Sequence, residues 1–158
     1  MFPQDRVYGE WPRSGEIDLA ECRGNSEPYV LDGIPSGRNV ITSTLHWGAS
    51  TLSNAYWRTT NGKALRRTDF TKEFHTFGVE WSEDYIYTYM DSRLIQVLFV
   101  NFKTSENMWE RGNFSTQVEN GTFLENPWQN TTTHNAPFDV DFYLILNVAV
   151  GSRNGWFK

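Results

Sequence analysis

Glu16, Asp18 and Glu21 stand within six residues of one another in the run Gly15-Glu16-Ile17-Asp18-Leu19-Ala20-Glu21, which otherwise has the composition of a strand. Side chains alternate along a strand, so Glu16 and Asp18 share one face while Ile17 and Leu19 point into apolar packing. Simple alternation would turn Glu21 toward the core. An extra residue at Leu19-Ala20, a β-bulge, re-aims Glu21 onto the face of the other two, and bulges are common beside active sites. Like charges this close disfavour a strand unless the charge is used. A nucleophilic carboxylate and a carboxylic acid flanking one bond are the equipment of retaining glycoside hydrolysis, which needs them about 5–5.5 Å apart. A flat strand would hold the backbones of Glu16 and Glu21 roughly 13–16 Å apart, so this chemistry predicts a concave sheet with a groove over it. Asp18, between them, would share a proton or a hydrogen bond with the nucleophile. Repulsion among the three pushes their pKa values apart, which lets one glutamate stay protonated while the other is ionised.

The elements that must carry this site read as strands. Residues 40–47, 74–81, 85–90, 94–100 and 142–150 show alternating or β-branched patterns between turn signals. In the last of these, Phe142, Leu144, Leu146, Val148 and Val150 take one face and Tyr143, Ile145, Asn147 and Ala149 the other. Asp91-Ser92 reads as a hairpin turn without its favoured glycine. No amphipathic helix period persists for ten residues, so the pattern predicts an all-β sandwich of two antiparallel sheets. Residues 23–39 and 101–137 are rich in Gly, Pro, Ser, Asn and Thr and read as long loops. The first would border the groove. In the second, Asn126-Pro127-Trp128 either pins the loop to the body or offers a stacking platform.

Composition bounds the function. One domain is the natural count for 158 residues, and 39% hydrophobic with 16% aromatic residues is ample for one core. A net charge of −5 argues against nucleic acid, and no stretch of about 20 apolar residues spans a membrane. The single cysteine, Cys22, cannot form an internal disulfide and reads as a small buried residue on the packing side of its strand. Asn113-Phe114-Ser115, Asn120-Gly121-Thr122 and Asn130-Thr131-Thr132 are clustered N-glycosylation patterns, as in a surface loop of a secreted protein. Asn147 is a polar residue in an apolar run and needs partners from sugar or protein. His75, between Phe74 and Thr76 and close to Phe77, reads as a packing residue.

The segment Trp11-Pro12-Arg13-Ser14-Gly15-Glu16-Ile17-Asp18-Leu19-Ala20-Glu21, followed by Arg23-Gly24-Asn25, resembles the signature of family 16 glycoside hydrolases in its bulged, laminarinase form. Further likeness runs through Ser43-Thr44-Leu45-His46-Trp47-Gly48, Phe74-His75-Thr76-Phe77 with Glu80-Trp81, and Ala136-Pro137-Phe138 with residues 142–151. It is similar to animal endo-β-1,3-glucanases and to invertebrate β-1,3-glucan and lipopolysaccharide recognition proteins. The resemblance implies a β-jelly-roll with a concave cleft that binds β-glucan. Glu16 would be the nucleophile, Glu21 the acid and base, and Asp18 their orienting neighbour. Trp11 would stack on sugar and His46 would hydrogen-bond in the cleft; Asn25, Trp128 and Asn147 are further substrate-binding candidates. No cofactor or metal is called for, and the protein is expected to act as a secreted monomer. Met1-Phe2-Pro3 resembles an internal segment of the family, and residues 150–157 resemble the stretch before its last strands. The chain therefore reads as part of a family 16 domain lacking terminal strands. Intact carboxylates favour a hydrolase over a catalytically silent glucan-recognition protein.

Overall fold

The computed structural model describes residues 1–151, 153, 156 and 157. The expectation for residues 150–157 thus lies partly outside the described residues. Among the described residues twelve strands run in chain order: β1 (Phe2–Pro3), β2 (Glu16–Cys22), β3 (Val30–Leu31), β4 (Ile34–Pro35), β5 (Val40–His46), β6 (Thr60–Ala64), β7 (Phe77–Trp81), β8 (Tyr85–Met90), β9 (Ser92–Asn101), β10 (Val118–Glu119), β11 (Thr122–Phe123) and β12 (Phe142–Tyr143). Every pairing is antiparallel. Among the described residues no helix is long and apolar enough to cross a membrane.

Two three-stranded sheets, β2-β5-β6 and β7-β8-β9, form the layers of the sandwich. Ile17 and Leu45 from the first meet Ile86, Leu98 and Val100 from the second in one buried cluster. Burying such side chains stabilises by about 1.5–3 kcal/mol each, which is why these alternating strands face one another. One polar thread crosses this core. Thr88 Oγ1 donates to Ser43 Oγ over 2.9 Å, Ser43 donates on to the Leu19 carbonyl at 2.6 Å, and the Leu98 amide donates to Thr88 at 3.0 Å.

The long loop at 101–137 is a packed cap. It contains a short helix α1 (Met108–Gly112), closed by a capping box between Asn107 and Glu110. Trp109, Phe114 and Trp128 cluster there, and both Phe114 and Trp128 lie against the Trp47 ring. Asn113, Asn120 and Asn130, which head the three glycosylation patterns, are all exposed. Asn120-Gly121 also forms the left-handed turn of the β10–β11 hairpin, at φ of 52° and 81°.

Two expectations change. Residues 144–150 are not a strand beyond β12: Leu146 is 89% and Val148 91% exposed. Alternation supplies a face, but a strand also needs a ladder partner, and β1 offers only Phe2 and Pro3 against Tyr143 and Phe142. Cys22 is exposed rather than buried. The Met1–Ile17 bonds, 2.6 and 3.0 Å, tie β1 only to the start of β2, so the flank of β2 at Cys22 borders a cavity. The hairpin turn at Asp91-Ser92 forms as expected between β8 and β9: Asp91 takes the glycine-like conformation itself, at φ 60°, while its carboxylate accepts from the Thr76 amide at 3.0 Å and contacts His75 Nδ1 at 2.8 Å. His75 is the packing residue expected, with its ring edge-on to Phe70.

Candidate active site

Gly15 sets the start of β2. Its φ of 80° and its contact with Pro137 and Phe138, where a Cβ would come within 3.1 Å of the Phe138 ring, leave little room for a side chain. The following seven residues pair with β5 in a register that shifts once: Glu16, Ile17 and Asp18 face His46, Leu45 and Thr44, and then Glu21 faces Thr42. Three residues on β2 thus span two on β5, and the extra one lies at Leu19-Ala20 as the spacing predicted. A bulge leaves a carbonyl without its ladder partner. Ser43 is that partner for Leu19, so the polar thread across the core anchors the feature that turns Glu21 outward.

The three carboxylates therefore lie on one face with Thr42, Thr44 and His46. Burial raises the pKa of Glu16, the charge of Asp18 raises it further, and a hydrogen bond from Trp11 and, when its ring is charged, the nearby His46 oppose the rise. Glu21 is raised for the same leading reasons, burial and then Asp18, against Arg23 and a charged His46 ring. Trp11 Nε1 donates to Glu16 Oε2 at 2.7 Å, which favours the ionised form of that glutamate. His46 Nε2 lies 3.1 Å from Asp18 Oδ2. Glu16, Asp18 and His46 each bring an atom within 4.8 Å of the others, a spacing that admits a cation, but these atoms are already engaged with one another and with Trp11.

Space exists on both sides of this face. A cavity of about 530 Å³ is lined by Glu16, Asp18 and Glu21 with Leu144, Ile145 and Asn147. Another of about 320 Å³ is lined by Glu21, Arg23, Thr42, Thr44, His46 and Tyr56 and by the β3–β4 hairpin. The loop at 23–39 thus borders the groove as expected. Trp11, 37% exposed, holds its ring 5.7 Å from that of His46 at a tilt. Asn147 lies in the exposed segment beside Glu21.

One candidate belongs elsewhere. Trp128 is 4% exposed, and its Nε1 donates to the Arg13 carbonyl at 2.8 Å, so it pins the cap and offers no stacking face. Asn25 lines the cavity beside Glu21 and Asn147, and its side chain, 1% exposed, donates to the carbonyls of Ser36 at 2.9 Å and Trp156 at 3.1 Å, bracing the 23–39 loop there. Sequence reasoning missed Tyr56, stacked on His46 at 5.2 Å, and Asn54, bonded to its ring. Both sit in an irregular segment with no periodicity to mark them. Arg23 was also missed as a charge beside Glu21; it is buried, with the Trp156 ring 3.6 Å away.

Residues 7–136 match the glycosyl hydrolases family 16. The chain belongs to that family. Its all-β antiparallel architecture is the jelly-roll sandwich expected from the motif. The chain is 36% identical to the beta-1,3-glucan-binding protein of Penaeus monodon over 99% of its own length and 38% of that protein's. It is 32% identical to the glucan endo-1,3-beta-glucosidase of Cryptopygus antarcticus over 97% of itself and 44% of the relative. It therefore spans less than half the length of these curated relatives. A solved family 16 endo-glucanase from Bacteroides ovatus aligns with 66% of this chain and 39% of its own, at a TM-score of 0.47 and 16% identity. Family 16 thus contributes both glucanases and glucan-binding proteins to the relatives of this chain.

Proposed function

We propose that the full protein is an endo-acting, retaining hydrolase of β-1,3-glucan. The observation that carries this reading is the bulged β2 strand, which gathers Glu16, Asp18 and Glu21 on one face bordered by a cavity. Ionised Glu16, held by the Trp11 indole, attacks the anomeric carbon while Glu21 gives its proton to the departing glycosidic oxygen. The resulting glycosyl ester on Glu16 is opened by water, whose proton Glu21 takes back and whose oxygen bonds to the anomeric carbon from the face the leaving group left. Configuration is retained. Asp18 raises the pKa of both glutamates and orients Glu16.

The exposed Trp11 and the polar row Thr42, Thr44 and Thr60 suit a neutral polysaccharide. Clustered exposed glycosylation patterns favour secretion, where a monomer of this kind would serve carbohydrate breakdown or defence. The similarity to a glucan-binding protein supports a second reading, recognition of glucan without cleavage. Reducing-sugar release from laminarin by the full-length protein separates the two. Hydrolysis that Glu16→Gln abolishes while laminarin binding persists is the expected result; binding by both proteins with release by neither establishes recognition alone.

A further inference from the structure

His46 ends β5 opposite Glu16, and its two ring nitrogens meet different partners. Nε2 lies 3.1 Å from Asp18 Oδ2, and Nδ1 lies 2.8 Å from Asn54 Nδ2. The orientation of the Asn54 amide is set by its other end: Oδ1 accepts from the Trp47 amide at 3.3 Å and the Tyr56 amide at 3.2 Å. The turn holding it is closed by the Ala55 amide on the Trp47 carbonyl at 2.8 Å. Gly48 makes that closure possible, since a Cβ there would come within 2.5 Å of the Ser53 carbonyl oxygen. Asn54 thus presents an N–H donor to Nδ1, and only a bare Nδ1 lone pair can receive it. A protonated Nδ1 would set two donors face to face; flipping the amide would instead aim its NH₂ at two backbone N–H groups.

We propose that Asn54 is a positioning residue that holds His46 neutral, with its one proton on Nε2 donated to Asp18. The groups facing the ring are Asp18, Glu16 and Glu21 from β2, the Trp11 indole, and the Tyr56 phenol stacked at 5.2 Å. Burial opposes a charged ring, while the three carboxylates draw a proton onto it strongly enough to lift its pKa above the usual histidine value. Asn54 counters that pull at the nitrogen where the second proton would sit. The consequence for catalysis rests on the hydrolase reading above. A positive His46 lowers the pKa of Glu16 and Glu21, so a neutral ring keeps the acid protonated to higher pH while Asp18 remains oriented by a hydrogen bond.

Long-range ¹H–¹⁵N correlation of the histidine rings in the labelled full-length protein tests this directly, with the His46 signals identified by their loss in His46→Gln. At pH 7 Nε2 is expected to carry the proton and Nδ1 to be bare. An imidazolium, or a proton on Nδ1 alone, overturns the proposal, and this wild-type spectrum decides it even where a variant fails to fold. Asn54→Asp keeps an oxygen for the Trp47 and Tyr56 amides and replaces the donor with an acceptor. The titration midpoint of His46 should then rise by about one pH unit or more; an unmoved midpoint overturns the proposal. The spectra need no turnover. A protein inactive on laminarin with a bare Nδ1 sinks the hydrolase reading and supports the role of Asn54, whereas an active one carrying an imidazolium does the reverse.

Discussion

Strand β2 and the segment 144–150 make an instructive pair. By residue type the second is the better strand, a run of Leu, Ile and Val in alternation, while the first carries three carboxylates. Yet β2 forms a seven-residue strand and residues 144–150 do not. The difference lies in partners. β2 has β5 along one edge in a register that buries Ile17 against Leu45, and its irregular carbonyl is satisfied by Ser43. Residues 144–150 have no ladder neighbour among the described residues, and their apolar side chains stand in the open. Strand pattern is thus permission to form a sheet, and pairing is what realises it.

The sharpest way to break this comparison is to remove the anchor of the bulge. Ser43→Ala takes the hydroxyl that reaches the Leu19 carbonyl and leaves that carbonyl and the Thr88 hydroxyl proton without the buried partner Ser43 gave them. Stability in chemical denaturation should fall by about 1–3 kcal/mol, the cost of unsatisfied buried polar groups. A loss below about 0.5 kcal/mol would mean that the bulge holds itself.

Asp18→Asn sharpens the comparison on the chemical side. Glu16 must be ionised to attack, so activity is lost as pH falls through its pKa; Glu21 must be protonated to donate, so activity is lost as pH rises through its own. The charge of Asp18 raises both values. Its removal should move both limbs of the laminarin pH–rate profile to lower pH, with a smaller loss of rate than Glu16→Gln brings. A profile of unchanged position would place the Asp18 charge outside the titrating system.

The smallest effect is expected at Leu146. Being 89% exposed, it can be changed to Ser in the 158-residue chain at a cost within about 0.5 kcal/mol. A cost of about 2 kcal/mol or more, the scale of a buried leucine, would show that residues 144–150 are covered in solution.

Much of the site was legible because its code is local. Glu16, Asp18 and Glu21 announce a strand with a bulge through spacing alone, and Trp11, five residues upstream, reaches Glu16 within the same stretch. His46 was legible from its strand parity, since it alternates with the buried Leu45 and Trp47. Strand β6 was not: Thr60–Ala64 is exposed throughout, has no alternation, and exists because its backbone pairs with β5. The β10–β11 hairpin carries its signal in Asn120-Gly121, a turn dipeptide that also belongs to a glycosylation pattern.

What the sequence determined by itself is the grouping of the three carboxylates and its local geometry, because side-chain alternation and one inserted residue act over a single strand. What only the tertiary structure decided is which residues surround that group. Trp128 and Asn25 lie in the same kind of polar, irregular chain as Asn54 and Tyr56, and composition cannot rank them. Packing sends Trp128 into the aromatic cap and Asn25 under its loop, while the turn at Gly48 carries Asn54 back onto His46. Such contacts depend on long-range closure of the sandwich, whose energy is shared among many residues, so no short stretch of sequence encodes them.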